Sequence, residues 1–68
     1  MRTNRVKELE RHELSDGGAV RITRLGWRYS YSRTFPDDQP PEVILNLTRE
    51  KAYELLANAL RDDVLELD

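Results

Sequence analysis

Apolar residues recur along the chain with two different spacings, and the change between them separates strands from a helix. From residue 48 onward the spacing is helical. Ala52, Leu55, Leu56, Ala59 and Leu60 fall at i, i+3, i+4, i+7 and i+8, which predicts one helix over about 49–61 with a single buried stripe. Thr48 stands where its hydroxyl can accept a bond from an orphan amide, and Glu50 lies in the first turn, where a negative charge suits the helix dipole. Before the helix the spacing is two. Val43, Leu45 and Leu47 recur at every second position, predicting a strand over about 42–47 with those three on the core face and Ile44 on the other.

Two turn signals divide the first half. Ser15-Asp16-Gly17-Gly18 is a cluster of turn formers and predicts a hairpin between strands over about 8–14 and 19–24. With Gly18 in the left-handed position of a three-residue loop, Ser15 faces Ala19, Leu14 faces Val20, His12 faces Ile22, Glu13 faces Arg21 and Glu10 faces Arg24. The second signal is a break in alternation. Val20 and Ile22 occupy even positions whereas Leu25, Trp27, Tyr29 and Tyr31 occupy odd ones, so a straight strand would split them between two faces. A two-residue turn at Leu25-Gly26 removes the conflict and predicts a third strand over about 27–35, with Ile22 opposite Tyr29, Val20 opposite Tyr31, Thr23 opposite Arg28 and Arg21 opposite Ser30. Trp27 then joins the apolar face near its rim. The other face carries Arg21, Thr23, Arg28, Ser30 and Ser32, small hydroxyls around two arginines with no large side chain in the way.

The segment Pro36-Asp37-Asp38-Gln39-Pro40-Pro41 holds all three prolines and no large apolar residue, so it reads as a loop with a stiff, extended end. Residues 5–14 read as a strand, with a short helix starting at Thr3 and using Val6 and Leu9 as the alternative. The tail 62–68 either extends the helix, since Val64 follows Leu60 by four, or docks elsewhere. The fold class expected is α+β: a small antiparallel meander of three to four strands in one domain, 1–68, with a C-terminal helix on one face. Leu14, Val20, Ile22, Trp27, Tyr29, Tyr31, Val43, Leu45, Leu47, Leu55, Leu56 and Leu60 are its expected core.

Charge changes this picture more than composition does. The formal net charge of −2 conceals two opposite halves: residues 1–35 hold eight Lys/Arg against four acids, and residues 36–68 hold three against nine. So polarised a chain can attract a partner or a second copy of itself. Two unpaired strand edges strengthen the case for a homodimer. The absence of cysteine leaves no disulfide framework and no thiolate metal site. No apolar run reaches the roughly 20 residues that span a bilayer, and the start has no apolar stretch of a signal peptide, so a cytoplasmic protein is expected.

Candidate chemistry is sparse. His12 is the single histidine, without a cysteine to accompany it, and reads as a structural or surface residue. Asp37-Asp38 and Asp62-Asp63 lack the alternating ligand spacing of a calcium loop, and Gly17-Gly18 lacks the lysine and spacing of a phosphate loop. No catalytic, metal or cofactor-binding residue is therefore assigned, and an enzyme is not expected. The run Val20 to Phe35, with four arginines, four aromatics and no acid, fits single-stranded nucleic acid if the rings are exposed. If the rings lie under the helix, Arg21, Thr23, Arg28, Ser30 and Ser32 remain as a face suited to an acidic protein surface.

Leu47-Thr48-Arg49-Glu50-Lys51-Ala52, a strand running into an Ala- and Leu-rich helix, is similar to the ends of many short proteins of actinobacteria and their phages. The signature is generic, covers less than a third of the chain and implies no activity. In scale the chain resembles bacterial regulatory proteins and phage accessory proteins, including inhibitors. A small binding or regulatory protein acting through another protein is the expectation, with a nucleic-acid-binding module using the arginine-rich first half as the alternative.

Overall fold

The computed structural model describes residues 6–66. Thr3, the proposed start of the alternative helix, and the last two residues of the acidic tail lie outside them. Four strands, β1 (Lys7–Glu13), β2 (Ala19–Leu25), β3 (Arg28–Thr34) and β4 (Glu42–Leu47), precede one helix, α1 (Arg49–Glu66). The strands form one sheet in the order β1-β2-β3-β4 with every neighbour antiparallel. This is the expected α+β meander with its C-terminal helix packed on one face. The segment 7–13 is strand rather than helix, and α1 takes in the start of the tail.

The helix begins where its cap predicts. The Lys51 amide donates to the Thr48 hydroxyl at 3.2 Å, and the Ala52 amide donates to the Thr48 carbonyl at 3.0 Å. Ala52, Leu56 and Ala59 are buried against Leu14, Val20, Ile22 and Tyr31. Two alanines in the stripe let the helix backbone approach the sheet closely, so that Val20 and Ile22 lose all contact with solvent. Leu55 and Leu60 pack beside this cluster, as do Leu9, Tyr29, Ile44, Leu47 and Tyr53. Burial raises the pKa of the Tyr31 phenol above its ordinary value, with nearby Glu42 adding to the effect and Arg33 opposing it.

The first hairpin departs from the expected register by two residues. Glu13 faces Ala19, His12 faces Val20, Arg11 faces Arg21 and Glu10 faces Ile22, so the expected Glu13–Arg21, Glu10–Arg24, His12–Ile22, Leu14–Val20 and Ser15–Ala19 pairs do not form. The cause is a longer loop. Leu14 leaves the ladder and closes a five-residue connection, donating to the Gly18 carbonyl at 2.8 Å while the Gly17 amide donates to the Leu14 carbonyl at 3.1 Å. Gly17, not Gly18, takes the positive φ, at 96°. Gly18 is needed for another reason: a β-carbon there would lie 2.2 Å from the Thr34 carbonyl oxygen. Bonds from the Ser15 amide and hydroxyl to Asp63, the shortest 2.6 Å, tie the loop to α1.

The second hairpin also slips by two. Its turn is Gly26-Trp27, flanked by Leu25 opposite Arg28, with Gly26 at φ 66°. A positive φ at the first central residue alone is the type II′ pattern, whose twist suits a hairpin. Ile22 consequently faces Tyr31 and Val20 faces Arg33. Trp27 leaves the sheet for the turn and is 79% exposed, contrary to its expected place in the core.

β4 differs by one residue, and that reverses the faces of Val43, Ile44 and Leu45 while Leu47 keeps its expected side. Ile44 faces Tyr31 and Leu47 faces Tyr29, so two residues of β4, Leu45 and Asn46, stand across from Ser30. Asn46 absorbs the extra residue at φ 60°, a left-handed conformation that asparagine tolerates better than most side chains. Ile44 thereby turns to the helix side, where Leu47 lies as expected, whereas Val43 and Leu45, expected inside, are 54% and 64% exposed. The bulge decides which face of β4 is dry.

Because Leu56 is 5% exposed, Leu56→Asp should abolish a cooperative thermal transition, an unpaired buried carboxylate costing several kcal/mol, on the order of the whole stability of a small domain. Arg28→Glu, at an exposed position, should melt within a few degrees of the parent. A near-parental melt for Leu56→Asp would contradict the packing of α1.

Candidate functional site

α1 covers one face of the sheet and leaves the other open. Alternation along β2 and β3 puts Arg21, Thr23, Arg28, Ser30 and Ser32 on that open face, as their sequence positions suggest. Their neighbours are not those expected. Thr23 pairs with Ser30, Arg21 with Ser32 and Arg28 with Leu25, and the Thr23 and Ser30 hydroxyls share a hydrogen bond. The arginines are thus separated along the sheet instead of sitting diagonally across one turn. Arg21 lies 3.7 Å from Glu8, an exposed ion pair of small energetic worth.

The open face carries more apolar surface than the sequence suggests. Val43 and Leu45 lie on it because of the Asn46 bulge, and Leu25 adds to it from the end of β2. Val6, Leu25 and Leu45 line a depression of about 190 Å3 together with Thr23, Ser30 and Arg28. The expectation of a face without large side chains is therefore corrected.

Next to this depression, where the β2–β3 turn meets the start of α1, is a second cleft of about 500 Å3 lined by Trp27, Arg28, Tyr29, Asn46, Leu47, Thr48 and Arg49. The Arg28 guanidinium stacks over the Trp27 ring, 4.9 Å from its centre, and donates to the Asn46 side-chain oxygen at 3.2 Å. Arg28 therefore joins both clefts. No acidic residue lines either of them.

His12 lies on the helix side of β1, half-buried, with its Nε2 3.2 Å from the Glu10 carboxylate. Among the described residues no group of three or more His, Asp or Glu is placed to hold a metal ion. No helix among them is long and apolar enough to cross a membrane.

Comparison with protein-family models, curated proteins and solved structures found no match to the chain.

The exposure of Trp27, the single tryptophan, gives a direct optical test. Its emission maximum at low protein concentration should lie near that of free tryptophan, with ready quenching by iodide. A blue-shifted, quencher-resistant emission would return the ring to the core.

Proposed function

We propose that the chain is a non-enzymatic binding protein, a regulator or inhibitor, that works by occupying a surface on another protein with the open face of its sheet. One observation carries the reading: Val43 and Leu45, more than half exposed, share a face with Arg21, Arg28 and the hydroxyls of Thr23, Ser30 and Ser32. Binding surfaces join apolar area to arginine in this way, since arginine makes paired bonds to carboxylates while apolar area supplies desolvation. Trp27, stacked against Arg28 at the edge of the face, adds a large amphipathic ring of the kind enriched among residues that dominate binding energy. A partner with apolar side chains flanked by acids would complement it. The reading has the chain act in the cytoplasm, where a cysteine-free fold meets no requirement for an oxidising compartment.

A second reading is favoured by Trp27 itself. An exposed indole with a guanidinium over it offers stacking and charge to a single-stranded nucleic acid. Against it, Val43, Leu45 and Leu25 have no role in holding phosphates, and Trp27 is the only ring of the Val20 to Phe35 run that is well exposed.

The two readings separate in one experiment. Arg21→Glu with Arg28→Glu should leave circular dichroism and the melt nearly unchanged while abolishing capture of the proteins that the parent retains from its source cell. Capture unaffected by the double substitution would remove the open face as the site. Quenching of Trp27 by an oligonucleotide, with log affinity falling linearly against log salt, would instead establish the nucleic-acid reading.

A further inference from the structure

The two edges of the sheet are unequal. β1 carries Lys7, Glu8, Glu10, Arg11, His12 and Glu13, four of them exposed, with only Leu9 between them, and it has a bulge between Glu8 and Glu10. Charges and a bulge are the usual means by which an edge strand is kept from pairing. β4 has neither defence over most of its length. Its sequence is Glu-Val-Ile-Leu-Asn-Leu, with a single charge at its start and its bulge at its far end, and among the described residues β3 is its sole strand neighbour. Alternate residues of such a strand point their N–H and C=O groups away from the sheet.

The ends of β4 also carry opposite charge. Asp37 and Asp38 in the preceding turn and Glu42 at the first position are all exposed and make one end acidic. At the other end Arg28 is bonded to Asn46 at 3.2 Å, and exposed Arg49 opens α1. From this we infer that two copies of the chain pair through β4, antiparallel about a two-fold axis perpendicular to the sheet.

Antiparallel pairing is the arrangement that sets each acidic end beside the partner's basic end, and it does so twice. A register centred on Ile44 places Val43 against the partner's Leu45 on the open face and Ile44 against the partner's Ile44 on the helix face. Glu42 then lies opposite the partner's Asn46, at the end of the partner's β4 that carries Arg28 and Arg49, with Glu42 on the helix face and Arg28 on the open one. Parallel pairing would set acid against acid. A two-fold contact closes at the dimer and leaves the guarded β1 strands as the outer edges of an eight-stranded sheet.

Area points the same way. Four strands about 4.8 Å apart, three of seven residues and one of six at about 3.3 Å each, make a face of roughly 430 Å2, smaller than the ~800 Å2 that each partner contributes to a standard interface. Two open faces joined edge to edge about double it. The pairing uses the edge and not the open face, so it stands whether or not that face binds a partner.

Sedimentation equilibrium between about 1 and 200 μM at low salt tests it. The parent should show a monomer–dimer equilibrium with Kd below about 100 μM, weakening as salt shortens the screening length. Leu45→Lys, at an exposed position, should keep the melt and remain monomeric throughout. Arg28→Glu and Glu42→Arg should each weaken the dimer at low salt by about two- to threefold, and the two together should recover part of that loss. A parent that is monomeric at 200 μM overturns the inference. So does a dimer that survives Leu45→Lys, or one that Arg21→Glu disrupts while the β4 variants leave it intact, which would place the contact on the open face.

Discussion

A helix with its side chains is about 10 Å across, whereas four strands spaced about 4.8 Å apart span nearly twice that, so one helix cannot roof the whole sheet. α1 lies on β2 and β3. Val20, Ile22 and Tyr31 from those strands supply the buried centre, with Ala52, Leu56 and Ala59 above them and Leu14 closing one side. β1 and β4 share that core through partly buried residues only, Leu9 from one and Ile44 and Leu47 from the other. The single stripe of α1 thus sets both what is stable in the molecule and what is left uncovered.

What remains uncovered is not uniformly polar. The bulge at Asn46 spends the inward positions of β4 on Ile44 and Leu47 and turns Val43 and Leu45 out, beside Leu25 and around the Thr23–Ser30 pair. The meander adds an electrostatic consequence. Lys7, Arg24, Arg28 and Arg49 all lie where β1 starts, β2 ends, β3 starts and α1 starts, which is one end of the sheet. Glu13, Asp16, Asp37, Asp38, Glu42 and Asp63 gather at the other. A charge asymmetry between halves of the sequence becomes one between ends of the molecule, because adjacent antiparallel strands bring their turns together at alternate ends.

The fold class, the four strands, the capped helix and the stripe on α1 were legible because each rests on periodicity or on a cap with a local mechanism. Register was not. In both hairpins the glycines admit more than one loop: Gly26 serves equally as the second residue of Leu25-Gly26 or the first of Gly26-Trp27, and the Ser15–Gly18 cluster does not reveal that Leu14 leaves the ladder. Each slip is by two, which preserves the faces, so Arg21, Thr23, Arg28, Ser30 and Ser32 emerged together on the open face although none has its expected neighbour across β2 and β3. The bulge in β4 inserts one residue, and an odd insertion inverts a face. A left-handed asparagine inside an apolar run was the one available signal, and periodicity reads straight through it.

The open face depends on β4 pointing Val43 and Leu45 away from the helix and Ile44 and Leu47 toward it. Since the chain has no cysteine, single Val43→Cys, Ile44→Cys, Leu45→Cys and Leu47→Cys variants can each be reacted with a maleimide at about 1 μM protein, with Ile22→Cys as a buried reference. The account predicts that positions 43 and 45 react nearly as fast as an unfolded peptide, that 44 and 47 react at least about tenfold more slowly, and that 22 reacts only through opening of the fold. Fast labelling at 44 with protection at 43 and 45 would contradict it.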